Sequence, residues 1–194
     1  MGNVRSVLNA FEKIGAPAGL VATPAEVEAC ERLVIPGVGA FGDAMLSLRE
    51  RGLSRAVRNT ALAGTPTLGL CLGMQLLASR STEFGDHEGL DLIPGVVERL
   101  ETDPGLRIPH VGWNDLIVRA EGDPVLAGLG PEPTFYFVHS FEFRPEEASH
   151  VTAVTDYGRP VTACVSSDRV FGVQFHPEKS AEDGLTLLRS FVTC

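Results

Sequence analysis

The stretch 65-TPTLGLCLGMQLL-77 changes period at its centre. Leu68 to Leu70 is an unbroken apolar run, which suits a strand buried on both faces. It ends in Cys71, with Gly69 two residues before the thiol and Gly73 two residues after it. A helical pattern starts at once, so the spacing predicts a strand over Thr67–Leu70 and a helix over Leu72–Ser79. A cysteine therefore stands at a sharp strand-to-helix corner. Open α/β sheets place their ligands at such carboxyl ends of strands.

Outward from this corner the first half alternates helix and strand. Val4, Val7, Leu8 and Phe11 recur at helical spacing behind Asn3 as cap, which predicts a helix over Val4–Ile14 ended by Gly15. Leu20–Ala22 reads as a short strand. Thr23-Pro-Ala-Glu26 is a capping box with proline at the first helical position. Arg32–Ile35 reads as a buried strand, and Ala40–Arg51 and Leu53–Ala63 as helices. Apolar strands alternating with helices predict an α/β fold with a parallel sheet covered on both faces.

The second half changes character. GVVERL, HVGWNDLIVR, TFYFVHSFEF, VTAVTDY, VTACVSS and VFGVQFH are strand-like runs separated by turn residues, a mixed or antiparallel extension. Ser180 then caps a final helix carrying Leu185, Leu187, Leu188 and Phe191. No repeat or linker interrupts the 194 residues, so 1–194 is expected to form a single domain.

Composition excludes several functions. The net charge is −9 and no lysine or arginine run occurs, so the basic surface that nucleic-acid binding needs is missing. Among the four cysteines there is no C-x-x-C pair, and no histidine stands at metal-ligand spacing from them. No metal, no cofactor and no disulfide framework are expected, and a reducing cytoplasm fits best. No apolar run has the length of a membrane span. The opening MGNVRS matches a myristoylation pattern, but Asn3 reads better as a helix cap. Gly37–Gly42, GVGAFG, fits the dinucleotide pattern G-x-G-x-x-G. The next strand, however, ends in Cys71 where an acidic ribose ligand belongs, so no nucleotide is expected there.

Cys71 is the stronger candidate. A helix N-terminus behind a thiol favours the thiolate. The flanking glycines permit the tight turn of a nucleophile elbow, in which the following N–H, from Leu72, points at a developing oxyanion. A free thiol has a pKa of about 8.5 and needs a base at neutral pH. His176 closes the apolar run VFGVQFH, Pro177 fixes the exit, and Glu178 can turn back onto the imidazole. Nucleophile, base and orienting carboxylate are then all present. A hydrolase acting alone and a scaffold that keeps only the fold are the competing readings; the full Cys/His/Glu set opposes the scaffold.

These residues carry a resemblance. LGLCLGMQLL, QFHPEKS and IPGVG resemble the nucleophile, His/Glu and oxyanion segments of the class I glutamine amidotransferases. PHVGWN (Pro109–Asn114) and YFVHSF (Tyr136–Phe141) resemble one branch, the glutaminase subunit of imidazole glycerol phosphate synthase in histidine biosynthesis. The resemblance implies a flavodoxin-like three-layer sandwich around a mixed central sheet. It implies that Cys71 attacks glutamine while His176, oriented by Glu178, moves the proton. The oxyanion is met by Leu72 and, after rearrangement, by the strand at Gly37, Val38 and Gly39. Gln75, Glu83, Gly37 and the backbone at Ser140 and Phe141 hold the glutamine. Asn3, His110, Trp113, Asn114 and Lys179 face a cyclase (β/α)-barrel subunit, the partner in a heterodimer, and Lys179 forms a salt bridge to it. The sequence departs from the family in one respect. Members begin with a buried strand and a Y-G-x-G-N turn, whereas this chain opens at MGN, inside that turn. The sheet is therefore expected to lack the family's first strand, and a start further upstream is expected.

Overall fold

A computed structural model describes residues 2–120 and 122–194, with side chains from residue 4 onward. In chain order the elements are α1 (Gly2–Lys13), α2 (Pro24–Glu28), β1 (Leu33–Gly37), α3 (Phe41–Glu50), α4 (Leu53–Leu62), β2 (Thr67–Cys71), α5 (Leu72–Gln75), β3 (Arg80–Ser81), β4 (His87–Glu88) and β5 (Gly95–Arg99). They continue with β6 (His110–Asp115), β7 (Ile117–Val118), β8 (Thr134–His139), β9 (Phe141–Pro145), β10 (Val151–Asp156), β11 (Pro160–Ser167), β12 (Val170–Val173) and α6 (Ala181–Thr193).

The central sheet runs β1-β2-β12-β11-β10-β7. β1, β2 and β12 are parallel, and the remaining pairings are antiparallel. This is the mixed sheet expected from the two halves of the sequence. A smaller sheet, β4-β3-β5-β9, and a two-stranded ribbon, β6-β8, complete the β structure.

Strand parity divides the interior into two cores. Leu33 and Ile35 of β1 face one side, against α2, α3, α4 and α5. Leu68 and Leu70 of β2, with Phe171 and Val173 of β12, face the other, against α1, α6 and the ribbon. Successive side chains of a strand point to opposite faces, so the central positions of β2 and β12 turn towards α5. Both are glycine, Gly69 and Gly172, paired in register. A Cβ at Gly69 would lie 2.5 Å from the Gly73 carbonyl oxygen. This flat floor lets the turn after Cys71 settle directly onto the sheet.

Three expectations need correction. Leu20–Ala22 is not a strand: its residues are exposed, with Leu20 at 71%. Among the described strands β1 is bonded only to β2 and its outer edge is open, but Leu20–Ala22 does not pair with it. Between them lies an apolar groove of about 720 Å³, lined by Val7, Phe11, Leu20, Ile35 and Val57 among others. Secondly, α5 stops at Gln75 instead of continuing to Ser79. The N–H groups of Leu77 and Ala78 turn back only three residues, to the Met74 and Gln75 carbonyls, and the Ser79 N–H goes to the Gly95 carbonyl, so the helical ladder ends there. Thirdly, Ser180 stands at the N-cap of α6 but makes no cap hydrogen bond. Its hydroxyl donates to the His176 carbonyl at 2.6 Å and accepts the Tyr136 N–H at 3.0 Å.

Candidate active site

Cys71 ends β2 with φ 55° and ψ −109°. Positive φ is sterically costly for a residue with a Cβ. The surroundings impose it. A Cβ at Gly73 would come within 1.7 Å of the Ile35 carbonyl oxygen, so the first turn of α5 lies hard against β1. Leu72, as the first residue of α5, has no intrahelical acceptor for its N–H. Gly37 stands beside Cys71 in register, and the chain then turns through Val38 and Gly39.

His176 lies three residues beyond β12, at the N-cap of a 3-10 turn, Pro177–Lys179. Its Nδ1 is 2.8 Å from Glu178 Oε1, and both side chains are fully enclosed. Away from water such a charge-assisted bond is strengthened. Burial works against charge on the imidazole, but the hydrogen bonds and charges of Cys71 and Glu178 outweigh it. The net effect raises the His176 pKa to about 9. His176 can therefore hold the proton that Cys71 gives up. The Ser180 hydroxyl on the His176 carbonyl fixes the backbone of the base.

Cys71 and His176 open into a cleft of about 420 Å³ lined also by Val38, Gly39, Leu72, Gln75, Glu83, Phe84, Arg99, Pro109, Val138, His139, Ser140 and Phe141. Most of the expected glutamine residues are here, with altered duties. Gly37 is not part of the lining and instead packs against Leu72. Glu83 is buried, and its Oε2 accepts the Phe41 N–H at 2.7 Å, which anchors the start of α3 just after the Val38–Gly39 turn. Gln75 is buried as well. Its Nε2 donates to the Phe141 carbonyl at 3.1 Å and to Gln174 Oε1 at 3.0 Å. Both amide hydrogens are thus used internally, and only its oxygen remains for a ligand.

Gln174, Arg99 and Phe84 escaped the reading of the sequence, and Ser180 was read there only as a helix cap. Gln174 sends its Nε2 to Cys71 Sγ at 3.7 Å. Its signal was parity, since two residues before His176 along an extended chain is the same face. Arg99 had no such signal, because it reaches the cleft from the end of β5, distant in sequence from the other lining residues, whereas Phe84 adjoins Glu83.

The residues expected at a partner divide into two sets. Trp113 is 56% exposed and sits edge-on to Tyr136, with ring centroids 6.3 Å apart. Lys179 lies over the same Tyr136 ring at 5.6 Å. These three form a continuous aromatic and cationic patch. His110 is buried, stacked between Phe137 and Tyr157. Asn114 points inward beside it and bonds His110 and the Asp156 carbonyl. The alternation of β6 explains the split: 113 faces out, so 110, 112 and 114 cannot. The side chain of Asn3 lies outside the described residues.

Comparison with known proteins bears on the same residues. The family described as glutamine amidotransferase class-I matches residues 1–193. The chain is 45% identical over 194 residues to the imidazole glycerol phosphate synthase subunit HisH of Synechococcus elongatus, covering 100% of this chain and 89% of that protein. It is 49% identical over 191 residues to the subunit of the same name from Methanothermobacter thermautotrophicus, covering 98% and 93%. Among solved structures, a glutamine amidotransferase crystal structure superposes with a TM-score of 0.75 at 25% identity, over 97% of this chain and 92% of that one. With the fold shared across almost the whole length and these identities behind it, the chain belongs to the class I glutamine amidotransferases, in the branch of the HisH subunits.

Proposed function

We propose that this chain is the glutaminase subunit of an imidazole glycerol phosphate synthase. The observation that carries the reading is Cys71, held at a strained corner inside a cleft, with the enclosed His176–Glu178 pair against it. Cys71 sulfur attacks the carboxamide carbon of glutamine, and His176 takes the thiol proton. The tetrahedral oxyanion is met by the Leu72 N–H and by an N–H of the Gly37–Gly39 segment. Collapse expels ammonia with the proton from His176 and leaves a glutamyl thioester, which water hydrolyses to glutamate. Glu83 and Arg99 line the cleft with opposite charges, which suits the zwitterionic end of an amino acid.

Ammonia passes to a (β/α)-barrel cyclase subunit. There it joins a phosphoribulosyl carboxamide ribotide to give imidazole glycerol phosphate and aminoimidazole carboxamide ribotide, in histidine biosynthesis. The Trp113–Tyr136–Lys179 patch meets the barrel, because exposed aromatic anchors beside a cation suit an interface. Among the described residues no helix is long and apolar enough to cross a membrane.

The test is glutamate release from glutamine by the chain alone, with the cyclase barrel, and with the barrel and its ribotide, beside Cys71→Ala. Release that is low alone, rises with the loaded partner and vanishes in the alanine variant is expected. No release from a correctly assembled complex overturns the glutaminase reading. Full release without a partner overturns the rearrangement of the Gly37–Gly39 segment.

A further inference from the structure

Among the described residues, strands β6 and β8 pair only with each other and present two unlike faces. Their register sets Trp113 opposite Tyr136 and Val111 opposite Val138 on the outer face. On the inner face His110 stands opposite His139. Both histidines are buried, at 2% and 6% exposure, and neither is used by the mechanism above. Their ring nitrogens form one continuous chain. His139 Nδ1 is 2.8 Å from the Phe141 carbonyl, His110 Nδ1 is 3.1 Å from His139 Nε2, and Asn114 Nδ2 is 3.3 Å from His110 Nε2.

The hydrogens in this chain follow by elimination. A carbonyl only accepts, so His139 carries its hydrogen on Nδ1. In the neutral ring Nε2 is then an acceptor, so the contact between the histidines is donated by His110 Nδ1. His110 Nε2 in turn accepts from the Asn114 amide. The second hydrogen of that amide goes to the Asp156 carbonyl at 2.8 Å, so the amide cannot be flipped without setting oxygen against oxygen. Both rings are therefore Nδ1–H tautomers with every polar atom satisfied. Burial, with the second histidine close by, depresses the His110 pKa to about 4. Burial also takes His139 to about 4, against opposing contributions from the Phe141 carbonyl and Glu142.

The chain ends at the nucleophile. The Phe141 carbonyl that receives His139 also receives Gln75, Gln75 is bonded to Gln174, and Gln174 reaches the Cys71 sulfur. Val138, in the same ribbon, has its carbonyl 4.0 Å from that sulfur. His139 lines the cleft, but its one ring lone pair, on Nε2, already accepts from His110, so it is not a second base for Cys71.

We propose that His110 and His139 are positioning residues for glutamine hydrolysis: a one-way donor chain from Asn114 fixes the Phe141 carbonyl and, through Gln75 and Gln174, the attitude of the Cys71 side chain. The ribbon that bears the exposed Trp113 and Tyr136 on one face thus tensions the nucleophile from the other. This inference rests on the glutaminase reading.

The test uses the complete two-subunit complex, with its ribotide and uniformly ¹⁵N-histidine-labelled chain. Imidazole spectra should show Nδ1–H for both residues across the neutral range; an Nε2–H tautomer at either overturns the chain. His139→Asn keeps a donor at the Nδ1 position, whereas His139→Gln keeps only the Nε2 end. The expected result is a kcat for glutamate release within threefold of wild type for asparagine and at least tenfold lower for glutamine. The rate of Cys71 alkylation by iodoacetamide should fall in parallel. If the two variants lose activity equally, in step with their melting temperatures, the pair is only structural. Alkylation and tautomers are read without glutamine turnover. A wild-type complex that shows the expected tautomers yet releases no glutamate therefore overturns the glutaminase reading and leaves the hydrogen-bond chain standing.

Discussion

At the scale of the residue, the corner at Cys71 is where function and strain meet. Backbone held in a sparsely populated region costs about 1–3 kcal/mol and persists only where the surroundings over-determine it. Here Gly73, seated on the Ile35 carbonyl, and Gly69, beneath the helix turn, do so. Cys71→Gly and Cys71→Ala both remove the sulfur, but only alanine keeps a Cβ at φ 55°. Both should abolish glutaminase activity, and the glycine variant should be the more stable of the two by about 1 kcal/mol in urea unfolding. Gly73→Ala should do the reverse of a benign change. Its Cβ meets backbone that cannot move aside, so a loss of about 3 kcal/mol and of activity is expected from the same titration.

At the scale of the element, short pieces depend on their ends. α2 has only five residues and is held by a reciprocal capping box between Thr23 and Glu26. Thr23→Ala should cost about 1 kcal/mol, read from the urea midpoint at unchanged slope. The β6-β8 ribbon makes a different prediction. Trp113 is more exposed than buried, so Trp113→Ala should leave the melting temperature of the isolated chain nearly unchanged. It should weaken binding to the cyclase barrel by about 2 kcal/mol, a thirtyfold rise in Kd by titration calorimetry. An unchanged Kd would remove the patch from the interface.

At the scale of the whole molecule, three buried histidines give opposite pH dependences. His176 binds its proton more tightly folded than unfolded, with a pKa of about 9 against an ordinary value near 6.5. Its contribution to stability is complete below about pH 6.5 and is lost as pH rises through 9. His110 and His139 bind protons more weakly folded, both at about 4. Their contribution is complete above about pH 6.5 and is lost as pH falls towards 4, because the unfolded chain takes up protons first. Stability should therefore peak near pH 6.5 and decline on both sides. His176→Gln should flatten the alkaline limb and leave the acid limb intact, measured by denaturant titrations at fixed ionic strength.

Much of this was legible in the sequence because its signals are local. Apolar runs bounded by glycine give β2 and the corner, a capping box gives α2, and Cys71, His176 and Glu178 are the residues to which we assign the nucleophile, its base and its orienting carboxylate. Each signal spans a few residues, and backbone sterics and hydrogen bonding act over that range. The tertiary structure decided what depends on neighbours far away in the chain. Leu20–Ala22 has strand-like residues but stands across a groove from the open edge of β1. α5 is cut short because the donor that would extend it, the Ser79 N–H, is taken by the distant Gly95 carbonyl. His110 and Asn114 belong to a motif that resembles a partner-facing one, yet the pairing of β6 with β8 turns them inward onto His139 and the cleft wall. Pairing partners and faces are set by which distant segment arrives alongside, and no local pattern carries that information.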